Sequence, residues 1–270
     1  MSFSSERVSS AAGRVFLVGA GPGDPGAITL RAVDCLRRAD LVLYDYLVNP
    51  VLLEHAAAAE RVCLGHHHTG RLVSQDQINA CMIRSAAQGK MVVRLKAGDP
   101  CVFGHVAEEV AALRAAGVNY EIVPGITAGL AAGGYVEIPV THGERASALA
   151  LITGHQRVEK EQPPLDYAAL AGFPGTLVFY MGVSSAAQWS EALIDGGRSP
   201  QTAVAIVRRC SWPDQHTLRC TLGTVAETIA REKVRPPAVI VVGDVVGLAP
   251  ELSWFAARPL SGRRVLVTRP

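Results

Sequence analysis

Runs rich in valine, isoleucine and leucine near residues 14–19, 41–45, 61–64, 91–96 and 119–123 alternate with stretches whose apolar residues recur at helical spacing. Ser74 and Gln77 have the spacing of a capping box ahead of Ile78, Cys81 and Met82, which share one helix face. Gly104–Ala116 reads as a second such helix, closed by Gly117. Strands separated by helices predict an α/β fold with largely parallel sheet. Pro124-Gly125 then opens a small-residue stretch, 126–134, where the chain crosses into a second domain. From Ala148 onward the strands come closer together, near 148–153, 175–181, 202–208, 216–221 and 238–243. Helices are expected near 184–195 and 224–233, the latter with a Thr224/Glu227 capping box. Only Arg209–Gln215 separates two of these strands, which predicts a hairpin and some antiparallel pairing. The pattern divides the chain into a disordered lead-in at 1–13, α/β domains at 14–128 and 129–255, and a tail at 256–270. A trough between two such domains is the default ligand site.

The first strand runs straight into a loop with glycines at 19, 21, 23 and 26, a composition that lets a ligand approach bare backbone. A dinucleotide fingerprint needs a third glycine at the sixth position, and counting from Gly19 that position is Asp24, followed by Pro25. A carboxylate there sits where a pyrophosphate would need amides. The loop therefore points to a ligand that is uncharged or cationic.

Composition narrows the classes further. A formal charge of +2 over 270 residues, with basic residues scattered singly or in pairs, gives no grip for nucleic acid. No apolar run approaches membrane-spanning length, and the serine-rich first thirteen residues lack the apolar stretch of a signal peptide. Six cysteines without a CxxC pair read as reduced, buried thiols in a cytoplasmic protein. His66-His67-His68, with Cys63 upstream, lacks the partners of a metal site, so no metal is expected.

Four motifs occur in order: Gly19-Ala-Gly-Pro-Gly-Asp-Pro25, Val92-Val-Arg-Leu-Lys-Ala-Gly-Asp-Pro100, Val123-Pro-Gly-Ile-Thr-Ala128 and Val178-Phe-Tyr-Met-Gly182. Tyr44-Asp-Tyr-Leu47 and Pro236-Pro-Ala-Val-Ile-Val-Val-Gly243 join them. The set resembles the tetrapyrrole (precorrin) methylase family over roughly residues 14–255, most closely the members that methylate uroporphyrinogen III. What the resemblance implies is a homodimer that binds S-adenosylmethionine in the trough and methylates carbons 2 and 7 of uroporphyrinogen III. The product would be precorrin-2, on the branch toward sirohaem and cobalamin. A reduced tetrapyrrole is electron-rich, so its carbon can attack an activated methyl if the two are held in line.

Carried onto matching positions, the resemblance implies cofactor contacts at Pro22, Ala97, Gly98, Asp99, Val102, Thr127, Ala128, Met181, Cys210 and Ala238. Phe103 and Tyr180 would line the substrate space, and Cys210 would act through its backbone. Without the family, Met181 and Val102 read as core packing, and Asp99-Pro100 equally as a strand-terminating turn or a ligand contact. Asp45, closing the second strand, is implied as the proton acceptor, although a nicotinamide oxidoreductase would use it to bind ribose. His66 stands where relatives carry a lysine assigned as proton donor, and His67, Tyr46 and His105 where they often carry arginine. Arg94, Lys96 and Arg157 are candidate partners for substrate carboxylates or else surface charges. The tail, Arg258–Pro270, begins a fresh strand pattern and resembles the opening of uroporphyrinogen-III synthase, which implies a fused enzyme of the same pathway. Another precorrin methylase and a noncatalytic tetrapyrrole-binding module remain as alternatives.

Overall fold

A computed structural model of the chain describes residues 13–65, 73–155, 164–249, 254–255, 257–260, 263 and 266. It separates into two units, divided between Thr127 and Ala128.

The first unit is a five-stranded sheet of β1 (Arg14–Gly19), β2 (Leu41–Tyr44), β3 (Glu60–Cys63), β4 (Met91–Lys96) and β5 (Asn119–Val123), in the order β3-β2-β4-β1-β5. Every pairing is parallel. Such a sheet is covered on both faces, so its strands are near-continuous apolar runs. Phe16, Val18, Val42, Val93 and Leu95 face one layer, built from α1 (Leu30–Arg37) and a 3-10 helix at Pro50–Ala56. Val15, Leu17, Leu41, Leu43 and Val92 face the other, built from α2 (Gln75–Ala87) and α3 (Val106–Ala115).

Local chemistry sets the helix ends. Thr29 accepts from the Ala32 amide at 3.1 Å to open α1. Ser74 and Gln77 form the expected capping box, and Ile78 and Met82 are buried beneath it. α3 starts later than Gly104, because Phe103 (φ 53°) and His105 (φ 56°) both lie in the left-handed region, which a right-handed helix excludes. It ends as expected: the Gly117 amide donates to Arg114 O at 3.0 Å and the Val118 amide to Leu113 O at 2.9 Å.

The second unit contains α4 (Ala128–Tyr135), β6 (Ala148–Thr153), α5 (Tyr167–Ala171), β7 (Gly175–Tyr180), α6 (Ala186–Asp195), β8 (Ala203–Arg208), β9 (His216–Thr221), α7 (Val225–Arg231) and β10 (Ala238–Val242). Its sheet runs β6-β7-β10-β8-β9. Only β6 and β7 pair in parallel. β8 and β9 form the expected hairpin, and β10 lies antiparallel to both β7 and β8. The antiparallel pairing thus extends beyond the hairpin expected here, to both sides of β10. Once β9 has reversed direction, the α7 crossover returns the chain parallel to β9 on the far side of β8, which turns β10 against its neighbours.

Two further expectations are corrected. The Thr224/Glu227 capping box does not form, since the Thr224 hydroxyl accepts from the Thr221 amide at 3.1 Å and closes a 3-10 turn at Leu222–Thr224. All six cysteines are free, but only Cys35 and Cys210 are buried and Cys101 is exposed. Among the described residues no helix is long and apolar enough to cross a membrane, and no group of three or more His, Cys, Asp or Glu side chains could hold a metal ion.

Trp189, fully buried on α6, stacks on Phe179 at 4.3 Å and donates from its indole nitrogen to Gly182 O at 2.9 Å. Trp189→Phe leaves that buried carbonyl without its donor, and a loss of about 1–3 kcal/mol of unfolding free energy is expected in urea titrations. An unchanged midpoint would show that the carbonyl finds another partner.

Candidate ligand site at the strand ends

In the first unit, β1 and β4 are neighbours, yet the chain leaves β1 toward the α1 face and β4 toward the α3 face. Parallel strands whose chains depart to opposite faces leave a crevice at their carboxyl ends, where open α/β sheets bind ligands. The two departing loops meet there: Gly98 N donates to Gly21 O at 2.8 Å and Gly21 N to Gly98 O at 3.1 Å. Gly98 holds φ at 70°, which other residues adopt only under strain. A Cβ on Gly125 would lie 2.2 Å from Gly98 O and 2.8 Å from Gly19 Cα, so the ends of β1, β4 and β5 touch backbone to backbone.

Two carboxylates lace these loops. Asp24 Oδ1 accepts from the Gly26 amide at 2.8 Å and caps the 3-10 turn Pro25–Ala27, so this amide is taken where a phosphate would seek one. α1 begins only at Leu30, beyond that turn, so the glycine loop does not feed straight into a helix as a dinucleotide loop does. Asp99 Oδ2 accepts from the Gly125 amide at 2.9 Å and Oδ1 from the Cys101 amide at 2.7 Å. Both of its oxygens serve the turn. Asn49, unnoticed in sequence, is buried and donates to Gly23 O at 2.7 Å, tying the segment after β2 to the glycine loop. The Asn-Pro pair that opens the 3-10 helix at Pro50 was its available signal.

Asp45 directly follows β2 with its carboxylate 31% exposed, and Arg94 Nη2 lies 2.5 Å from its Oδ1. Arg94 Nε reaches Glu109 Oε1 at 3.1 Å, and Lys96 Nζ reaches the same oxygen at 2.7 Å. Arg94 and Lys96 are thus neither surface charges nor loose partners for a polycarboxylate: both are buried beneath α3 and paired within the unit. Burial, and then the Arg94 charge, lowers the Lys96 pKa from its ordinary value, with Glu109 opposing the shift. On the loop between β4 and α3, Phe103 is exposed at positive φ, and His105 Nδ1 lies 3.1 Å from Glu108 Oε1. Backbone strain of this kind gathers where side chains are aimed at function. His66 and Arg157 lie outside the described residues.

In the second unit, three strands bring separate segments to one sheet edge. Tyr180 pairs with Val239 and Ala238 with Arg208, so Met181 after β7, Ala238 opening β10 and Arg209-Cys210 after β8 share that edge. Met181 is half exposed at φ 54°. Tyr180 Oη accepts from the Gly129 amide at 2.7 Å, satisfying a helix-start donor of α4 beside Ala128. Cys210 is buried among Ala131, Ala132 and Val207, and burial pushes its thiol up to about 12, so it stays protonated. The neighbouring Arg209 is held by Asp214 at 2.6 Å and lies over the Trp212 ring at 4.2 Å.

The structure thus gathers Pro22, Ala97, Gly98 and Asp99 at one crevice, with Val102 and Phe103 on the same loop and Asp45 at the end of β2, the strand next to β4. Thr127 is buried at the close of the first unit. Ala128, Tyr180, Met181, Cys210 and Ala238 belong to the second.

An open α/β unit with a glycine-lined switch-point crevice, followed by a mixed-sheet unit, is a fold of ligand-binding enzymes. The chain belongs to the tetrapyrrole (corrin/porphyrin) methylases, which it matches over residues 14–226. It is 43% identical over 256 residues to the uroporphyrinogen-III C-methyltransferase of Bacillus subtilis, covering 94% of this chain and 53% of that protein. It is 44% identical over 247 residues to a sirohaem synthase of Zymomonas mobilis, covering 91% and 52%. The chain therefore spans about half the length of the curated relatives it matches. A solved uroporphyrin-III C-methyl transferase from Thermus thermophilus, complexed with S-adenyl homocysteine, aligns with a TM-score of 0.74 and 39% identity over 87% of this chain and 99% of its own. A cobalt precorrin-4 methyltransferase aligns with a TM-score of 0.76 and 29% identity over 89% and 98%.

Because the Gly125 site is closed by backbone rather than by a yielding side chain, Gly125→Ala is expected to cost about 1–3 kcal/mol in chemical unfolding. A variant as stable as the parent would mean that the three strand ends are not seated as closely as their atoms indicate.

Proposed function

We propose that this chain is a methyltransferase that uses S-adenosylmethionine to methylate uroporphyrinogen III at carbons 2 and 7, giving precorrin-2 for sirohaem or cobalamin. The observation that carries the reading is the crevice between β1 and β4, where backbone meets backbone and Asp24 and Asp99 occupy amides that an anion would need. The residues assigned to the cofactor fit a sulfonium: alanine, glycine, proline, threonine, valine, methionine, cysteine and one aspartate, with no cation among them. Arg209, beside Cys210, has its charge engaged by Asp214.

When bound, S-adenosylmethionine supplies an electrophilic methyl group. The family resemblance assigns Pro22, Ala97, Gly98, Asp99, Val102 and Thr127 of the first unit, and Ala128, Met181, Cys210 and Ala238 of the second, as the residues that would hold it. Cys210 contributes backbone, since its protonated thiol is sealed in the core. The resemblance assigns Phe103 and Tyr180 to the substrate, and the macrocycle's own carbon is the nucleophile, so no protein nucleophile is needed. Carbon attack leaves a proton to be shed, and Asp45, part-exposed at the end of β2, accepts it. His66 as proton donor rests on the family resemblance alone. The resemblance also supports a cytoplasmic homodimer and a uroporphyrinogen-III synthase-like segment beginning in the tail.

Calorimetry with S-adenosylhomocysteine, and an anaerobic methyl-transfer assay of uroporphyrinogen III against later precorrins, test the reading. Dependence of methylation on a later precorrin would replace the substrate, and failure of both assays would remove the function. Asp45→Asn is expected to lower turnover about 100-fold or more while leaving S-adenosylhomocysteine affinity within about twofold. Unchanged turnover would take the proton-acceptor role away from Asp45.

A further inference from the structure

The charge cluster beneath the first unit's strand ends is organised around one side chain. Arg94 Nε is on Glu109, Nη1 donates to Leu95 O at 3.2 Å, and Nη2 is on Asp45. All three nitrogens of its guanidinium are fixed. Glu109 is completely buried, four residues into α3, and its Oε1 takes Arg94, Lys96 and Gln75 Nε2, the last at 3.3 Å. Its Oε2 has no partner. A cluster built for stability would not leave a sealed carboxylate oxygen without a donor, and well-packed apolar residues in such a place are often as stable or more so. What the arrangement does supply is rigidity with a direction. Of the four charged groups only Asp45 reaches solvent, at the carboxyl end of its strand, and the other three are almost wholly enclosed.

We propose that Arg94 is a positioning residue for methyl transfer: clamped by Glu109, it holds the Asp45 carboxylate in one place at the end of β2. The proposal rests on the reading of Asp45 as proton acceptor. Arg94 does not touch substrate or cofactor in this account. Two bonds to Leu95 and Glu109 set the plane of the guanidinium, and the third orients Asp45, so the loss of Arg94 frees a carboxylate without removing it.

The test is a double-mutant cycle in the methyl-transfer assay, on the intact chain, with S-adenosylhomocysteine affinity measured alongside. Arg94→Gln is expected to lower kcat about tenfold or more, with KM for S-adenosylmethionine and S-adenosylhomocysteine affinity within about twofold of the parent. Arg94→Lys, which restores the charge but not the fork, should recover part of that loss. In an Asp45→Asn background, Arg94→Gln should cost less than about twofold further, because its target is already gone. Equal losses in the two backgrounds, or an Arg94→Gln enzyme with parental kcat beside an impaired Asp45→Asn enzyme, would overturn the proposal and leave the proton-acceptor reading standing. Parental kcat in Asp45→Asn itself would remove both. If Arg94→Gln does not fold, Glu109→Gln keeps the cation and weakens the clamp. It should lower kcat in the parent and not in the Asp45→Asn background, and additive losses there would again overturn the proposal.

Discussion

The candidate site depends on how closely three parallel strand ends approach one another. β1 lies between β4 and β5, and at Gly19, Gly98 and Gly125 no side chain separates their backbones. Loops leaving such a junction meet any ligand with peptide groups rather than side chains. Which peptide groups matters as much as their nearness. Asp24 takes the Gly26 amide, and Asp99 takes those of Gly125 and Cys101, so two carboxylates consume three donors around one crevice. A phosphate entering there would find negative charge in place of free amides. A sulfonium would find favourable charge of the opposite sign, and this separates the loop from the dinucleotide loops it superficially matches.

The same sheet changes character along one face of a single strand. Val92, Arg94 and Lys96 alternate onto the side covered by α2 and α3, so the face runs from hydrocarbon to salt bridge within five residues. Glu109 receives both cations from the first turns of α3, where the helix's exposed amides favour negative charge. The ionic layer thereby fixes the start of α3, and with it the loop of positive-φ residues that carries Phe103 and His105. Site geometry and charge burial are one arrangement here.

Much of the first unit was legible in sequence because strands buried on both faces are unbroken apolar runs, and all five were placed within about a residue. The capping box at Ser74 and the cap at Gly117 were legible because their chemistry is local. Arg94 and Lys96 were not, since their partner Glu109 lies on a helix beside a second glutamate, Glu108. Only the covering of β4 by α3 shows which of the two is sealed. Thr224 was misread for the opposite reason. Its spacing to Glu227 fits a capping box, but Thr221, equally spaced on the other side, competes for the same hydroxyl and wins.

In the second unit the direction of one strand decides which motif residues become neighbours. Met181 follows β7, Cys210 follows β8, and Ala238 opens β10, so in an all-parallel sheet Ala238 would stand at the opposite edge from the other two. β10 runs antiparallel to both flanking strands, which turns its beginning toward their ends. The reversal follows from the β8–β9 hairpin, whose presence the short Arg209–Gln215 connection announces in sequence. The hairpin is therefore as much a determinant of the candidate site as any residue that lines it: without that reversal the Pro-Pro-Ala-Val motif would end up a strand's length away from the Tyr-Met-Gly motif that it now adjoins.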